Sequence, residues 1–385
     1  MAIKASRRGR IPPFIVMDVL REANRRQAEG EDILHLELGQ PQTGAPGPVI
    51  EAAKKALVSD ALGYTEAFGL MPLRERIVRY YADTQGINVS PENVVITTGS
   101  SAGFVLGFTA AFDAGDRVAL AAPGYPGYRN ILLSQNIEPV AIPTGPVTRF
   151  QPTPDLLDRI EGTIDGIIVA SPSNPAGTML GEAEMQALTA YCRDRGIRLV
   201  SDEIYHGITY AGEGISALQY DDSSLVVSSF SKYFSMTGWR IGWMVVPDDL
   251  LRSVECLAQN LYISAPTLAQ IGAEAAFDAF DELDRNVARY AANRRLLLDG
   301  LPGAGFDRLA PADGAFYIYA DVSRLTNDSA VLCRRMLDET GVATTPGIDF
   351  DSERGNAYVR FSFSGATDMI AEAVDRLTDW NPSDG

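Results

Sequence analysis

Between residues 93 and 247 the chain carries seven short apolar runs, and most are unbroken rather than alternating. They are NVVITT (93–98), RVALAAP (117–123), EPVAIPT (138–144), GIIVASP (166–172), RLVSDE (198–203), LVVSSF (225–230) and IGWMVVP (241–247). A strand with one buried face alternates apolar and polar residues, so continuous runs imply burial on both faces. Amphipathic stretches separate several runs. SAGFVLGFTAAFDAG (101–115) predicts a helix stopped near Gly115, and GEAEMQALTAYCRDRG (181–196) predicts another. Strands alternating with helices in this way give an α/β fold around a mostly parallel sheet. The last two runs lie too close for a helical crossover, so that pair is expected to be antiparallel.

After about residue 266 the pattern changes. Helical segments dominate, followed by the strand-like pieces FYIYADV (316–322) and AYVRFSFS (357–364), each leading into a helix. This predicts a smaller α+β lobe, which the first 40 or so residues are expected to join because the central alternation has no place for them. The expected division is a large domain over residues 45–285 and a small domain over 1–44 and 286–385 with an N-terminal arm.

The formal net charge of −17 argues against nucleic acid or an anionic membrane as partner. The apolar stretch near the N-terminus is short and broken by Pro12 and Pro13, so no membrane-spanning or secretory segment is expected, and a cytoplasmic location fits. Cys192, Cys256 and Cys333 lie far apart with no metal-binding spacing, and only His35 and His206 are present, so no metal site is expected.

Two motifs point to chemistry that the rest of the chain does not support. GSSAG (99–103) matches the nucleophile elbow of a serine hydrolase, with Ser101 as the candidate nucleophile, but His206 is the sole later histidine and sits mid-chain. SFSK (229–232) matches S-x-x-K of penicillin-recognising enzymes without its companion motifs. A different use suits both stretches. TTGSS ends a strand and opens a helix, so free N–H groups and the hydroxyls of Ser100 and Ser101 converge on one point, as an anion requires. Ser229, Lys232 and Arg240 add a hydroxyl, an amine and a planar fork suited to phosphate. A lysine of lowered pKa becomes a nucleophile. With a phosphorylated carbonyl cofactor it could form a Schiff base, and pyridoxal 5′-phosphate meets that description. Asp202, at the end of the run IRLVSD, supplies the carboxylate that such a ring nitrogen needs.

With these residues in view, the chain resembles the class I/II aminotransferases of pyridoxal-phosphate fold type I, near the aspartate, alanine and aromatic aminotransferases. The resemblance rests on LELGQP (36–41), GYTEAFGLMPLRE (63–75), GSSAG, APGYPGY (122–128), SPSNPAGT (171–178), SDEIY (201–205), SFSKYFSMTGWRIGW (229–243), GAFYIY (314–319) and YVRFSFS (358–364), in order along the chain. It implies a seven-stranded, mostly parallel sheet with helices on both faces plus a smaller α+β domain. It also implies that Lys232 carries the Schiff base and moves the substrate α-proton, that Asp202 pairs with the ring nitrogen, and that Tyr205 and Asn174 bond the ring's phenolic oxygen. Tyr125 would stack on the ring. Ser100, Ser101, the N–H of Ala102, Ser229 and Arg240 would hold the phosphate, with Tyr64 reaching in from the neighbouring subunit of a homodimer. Arg360, helped by the Gly39 backbone and Asn174, would clamp the substrate carboxylate. The implied activity is ping-pong transfer of an amino group from an L-amino acid to a 2-oxo acid. A C–S β-lyase on the same fold is an alternative, and a serine hydrolase using Ser101 is one of a different class. Ser101 stands where one aspartate-using subgroup has a lysine, so the substrate side chain is left open, with Arg10, Arg129, Phe14, Tyr64 and Tyr262 as candidate contacts.

Overall fold

The computed structural model describes residues 3–380. Among these residues twelve strands run in chain order from β1 (Leu34–His35) through β2 (Val94–Thr97), β3 (Arg117–Ala122), β4 (Glu138–Pro143), β5 (Gly166–Ala170) and β6 (Arg198–Asp202). They continue through β7 (Leu225–Ser229), β8 (Gly242–Val245), β9 (Tyr317–Asp321), β10 (Val342–Ala343), β11 (Thr345–Pro346) and β12 (Tyr358–Ser362). Seven of these form the central sheet, in the order β2-β8-β7-β6-β5-β3-β4. Only β8 runs against its neighbours, pairing antiparallel with both β7 and β2, so the expected antiparallel pair is present.

The unbroken apolar runs have a direct cause. Along β3, Val118 and Leu120 enter one core while Ala119, between them, enters another. Ile168 on β5 and Val200 on β6 join the first core, and Ile167, Val169 and Leu199 join the second. The helix Gly99–Ala111 covers the first face through Phe104 and Phe108, and Glu182–Arg195 covers the second through Met185, Leu188 and Cys192. The middle positions of these strands are therefore buried on both faces, and polar residues such as Ser201 and Asp202 come toward the C-terminal end of β6. β4 is an edge strand, largely exposed, and carries Glu138, Pro139 and Pro143, which blunt further pairing.

The helix expected over 101–115 spans Gly99–Ala111. It begins earlier because Gly99 adopts φ +73 at the strand–helix corner. It ends earlier because Phe112 turns extended and the Asp116 carboxylate accepts the Asp113 N–H at 2.8 Å, a local side-chain turn. Gly115, with φ +100, turns the following loop rather than the helix.

The smaller lobe holds an antiparallel sheet, β11-β12-β9, and a two-stranded parallel pair, β1-β10. Leu34 pairs with Val342 and His35 with Ala343, which ties the N-terminal segment to the strand that follows the helix Ser329–Thr340. The helix Phe280–Gly300 is continuous across residues 285 and 286. Among the described residues no helix is long and apolar enough to cross a membrane.

Candidate active site

Six of the seven central strands point the same way, so their C-terminal ends share one edge of the sheet. The single reversed strand, β8, begins at that edge. The sequence places a chemically active residue at nearly every one of these ends: Ser100 and Ser101 after β2, Tyr125 after β3, Asn174 after β5, Asp202 closing β6, Lys232 after β7 and Arg240 just before β8. The topology brings them round a cleft of about 180 Å³. The small lobe contributes Gly39, Tyr317 and Arg360.

The Lys232 amine donates to the Gly39 carbonyl at 2.5 Å. Burial, then the Arg360 charge, pulls its pKa down to about 8, against the pull of Asp202. The Asp202 carboxylate accepts the Tyr128 hydroxyl and, at 3.0 Å, the Ile204 N–H. Burial pushes its pKa up to about 6 despite those bonds. The Tyr205 and Tyr317 hydroxyls meet at 2.7 Å. Tyr125 packs edge-on against Tyr128 at 5.1 Å and against Phe14 at 5.7 Å.

At the other end of the cleft, Ser100, Ser101 and Ala102 form the first turn of the helix Gly99–Ala111, whose leading N–H groups have no intrahelical acceptor. Arg240 lies against this corner, held by a 2.9 Å bond to the Thr237 carbonyl. A Cβ at Gly99 would stand 2.5 Å from the Arg240 Nη2, so only glycine lets the guanidinium approach the helix start. Arg360, 2% exposed, donates to the Asn174 Oδ1 at 2.9 Å, to Thr345 Oγ1 at 3.2 Å and to the Glu37 carbonyl. Its guanidinium sits between the rings of Tyr317, 4.4 Å away, and Phe350, 4.8 Å away. Among the described residues, no carboxylate forms an ion pair with Lys232, Arg240 or Arg360. Three cations without carboxylate partners line one cleft of a strongly acidic protein.

Of the residues singled out in the sequence, Ala102, Ser229 and Tyr64, and the candidate side-chain contacts Arg10, Arg129 and Tyr262, do not line the cleft. The Ser229 hydroxyl turns inward, bonding the Ile241 carbonyl at 3.0 Å and Ser231 Oγ at 2.9 Å, and Ser231 takes the lining position. Tyr64 is 84% exposed on the surface. Sequence reasoning missed Tyr128, Ser231 and Tyr317, and raised Phe14 without Val16 and Met17, its companions in the lining. Tyr128 had a signal: it lies three residues after Tyr125, at the start of the helix Pro126–Ser134, so both rings leave on one side.

The geometry removes the hydrolase alternative. His206 is buried elsewhere, with ring nitrogens on the Ser171 carbonyl at 3.0 Å and the Gln85 amide at 3.1 Å. No histidine is among the residues lining the cleft with Ser101.

The sequence matches the family model of aminotransferase class I and II over residues 31–377. A valine–pyruvate aminotransferase of Mycobacterium tuberculosis is 51% identical, with 100% of each chain covered. A (5-formylfuran-3-yl)methyl phosphate transaminase of Methanocaldococcus jannaschii is 32% identical over 95% of this chain and 96% of its own. The crystal structure of an aminotransferase from M. tuberculosis, 51% identical, superposes with a TM-score of 0.97 over 99% of this chain and 100% of that one.

Proposed function

The chain belongs to the class I and II aminotransferases, and from that premise we propose that it transfers the amino group of an apolar L-amino acid to a small 2-oxo acid such as pyruvate, using pyridoxal 5′-phosphate. Members of this family depend on that cofactor. The observation that carries the reading is the set of three cations without carboxylate partners facing one carboxylate, Asp202, across a single cleft. A phosphate, an aldehyde and a substrate carboxylate account for Arg240, Lys232 and Arg360 in turn, and a ring nitrogen accounts for Asp202.

The residues present fit the cofactor. Ser100, Ser101, the N–H of Ala102, Ser231 and Arg240 would hold the phosphate, with Ser229 orienting Ser231. Lys232 would hold the aldehyde carbon, Asp202 the ring nitrogen, Tyr205 and Asn174 the phenolic oxygen, and Tyr125 the ring face. When bound, the cofactor supplies a carbonyl that accepts the amino group and a ring that takes up the electrons of the broken C–H bond.

The chain's own groups supply the proton chemistry. A Lys232 pKa of about 8 leaves part of the amine unprotonated near neutrality, so it serves as a base at the substrate Cα. Tyr128 holds the Asp202 carboxylate in place. The Arg360 fork, already fixed by Asn174, Thr345 and Glu37, orients the α-carboxylate without reorganising. The wall left for the side chain is apolar, with Phe14, Val16 and Met17. Each cation of the cleft is already assigned, so none is left for a side-chain carboxylate. The similarity to a valine–pyruvate aminotransferase points the same way.

The active unit in this reading is a homodimer. Tyr64, Leu261, Tyr262 and Ile263 are exposed. Their loops are tied together by Thr267 Oγ1 on the Gly63 carbonyl at 2.5 Å, giving a second copy an apolar patch from which Tyr64 reaches across. Three free thiols fit the reducing cytoplasm.

The test is a spectrum followed by a donor panel. Protein with pyridoxal phosphate gains a visible absorption band, L-valine bleaches it, and added pyruvate restores it with formation of alanine. L-aspartate leaves the band unchanged. Absence of the band refutes the cofactor assignment. Bleaching by L-aspartate alone refutes the apolar substrate class, and pyruvate release from cysteine conjugates without an acceptor is the mark of a lyase.

A further inference from the structure

The helix Ile15–Ala28 begins without a capping side chain of its own, because Pro12, Pro13 and Phe14 precede it. A helix start leaves its first N–H groups without intrahelical acceptors, and a local Ser, Thr, Asp or Asn normally satisfies one of them. Here the acceptor comes from the far end of the chain. The Asp349 carboxylate, in a residue 1% exposed, accepts the Ile15 N–H at 2.9 Å through one oxygen and the Val16 N–H at 3.1 Å through the other. The first of these bonds spans 334 residues.

The two ends of this contact lie beside different parts of the site. Phe14, Val16 and Met17 line the cleft, with Phe14 edge-on to Tyr125. Asp349 ends the short 3₁₀ turn Gly347–Asp349, which follows β11 directly. β11 pairs with β12 at Thr345 and Arg360, and the next residue, Phe350, flanks the Arg360 guanidinium. The apolar wall is thus fastened to the strand pair that carries the carboxylate clamp.

We propose that Asp349 is a positioning residue for side-chain recognition: by capping the helix Ile15–Ala28 from the small lobe, it fixes the height of Phe14, Val16 and Met17 above a substrate held by Arg360. The proposal rests on the apolar-substrate reading and adds the element that sets its limits. A branched aliphatic side chain fills the space under this roof, whereas the methyl of alanine does not reach it. The charges that face Asp349 from other elements are Arg360 on β12 and Arg129 on the helix Pro126–Ser134. Both favour the carboxylate against the opposing effect of burial.

Two variants of the cofactor-loaded enzyme decide this. Asp349→Asn keeps the shape but cannot accept both N–H groups, and Asp349→Ala removes the acceptor. Hydrogen exchange read by mass spectrometry should show the 12–20 segment exchanging about tenfold faster in either variant, as expected for the loss of a cap. With pyruvate-independent half-reactions, kcat/KM for L-valine should fall about tenfold, chiefly through KM, while L-alanine loses less than about threefold. Unchanged exchange in the 12–20 segment, or equal losses for both amino acids, overturns the proposal. A wild-type enzyme that ignores L-valine defeats the substrate reading instead, and the exchange result then decides whether Asp349 holds the roof.

Discussion

The floor and the roof of the cleft are built on opposite principles. The floor, at the strand ends of the central sheet, is dense in groups that donate, accept or titrate: Ser100, Asp202, Lys232 and Arg240 all lie within a few residues of a strand terminus. The roof is Phe14, Val16 and Met17 at the start of a helix held by a carboxylate from the other end of the chain. On the proposed function the floor would answer to a cofactor whose phosphate, aldehyde and ring nitrogen each demand one kind of partner. The roof answers to the shape of a side chain, for which many apolar combinations suffice. Changes in the floor should therefore be severe and indifferent to the substrate, and changes in the roof mild and selective.

The sharpest way to break that contrast is Lys232→Ala. Turnover should fall by about 10⁴-fold or more with every amino acid, since both the amine that holds the cofactor and the base are lost. Single-turnover absorbance with several donors measures it, and a donor-dependent loss would place Lys232 in recognition rather than chemistry. Arg360→Ala should cost about 10²-fold in kcat/KM, mostly through KM, again across all donors. An unchanged KM would leave the clamp without a role.

Tyr128→Phe comes next. It strips one hydrogen bond from the buried Asp202 carboxylate, and steady-state kinetics should show about a tenfold loss in kcat with KM little altered. The pH dependence of cofactor capture belongs at the same scale. Burial holds Lys232 below the ordinary 10.5, at about 8, so the free amine is scarce below that pH and abundant above it. Stopped-flow capture of pyridoxal phosphate by apoprotein should thus accelerate roughly tenfold from about pH 7 to about pH 9. A flat profile over that interval would mean that the amine is not the group that limits capture. Phe14→Ala is the smallest change, about fourfold in kcat/KM for L-valine, roughly the worth of one buried methylene. It should leave L-alanine nearly untouched.

The same contrast governs what could be read in the sequence. Lys232, Asp202 and Arg240 were legible because strand-end position and chemical type can both be seen locally, and the strands themselves announce their two buried faces. Ser231 was not, because the turn after β7 reverses which of two nearby serines faces the cleft. Asp349 was beyond reach: PGIDFDSE reads as an ordinary polar loop, and nothing in it names a partner near residue 15. Contacts set by backbone geometry within a few residues leave a mark in the sequence. Contacts that join distant segments through one side chain do not.

The pairing of Leu34 with Val342 carries a consequence for how the molecule comes into being. On a ribosome adding about 5–20 residues per second, the first of these two residues must wait on the order of 15–60 seconds for the second. The floor can assemble meanwhile, since its strands all lie in the interval between. In a nascent chain the strands that carry the floor are therefore complete before the strand pair that carries Arg360 and before the residue that caps the roof, Asp349.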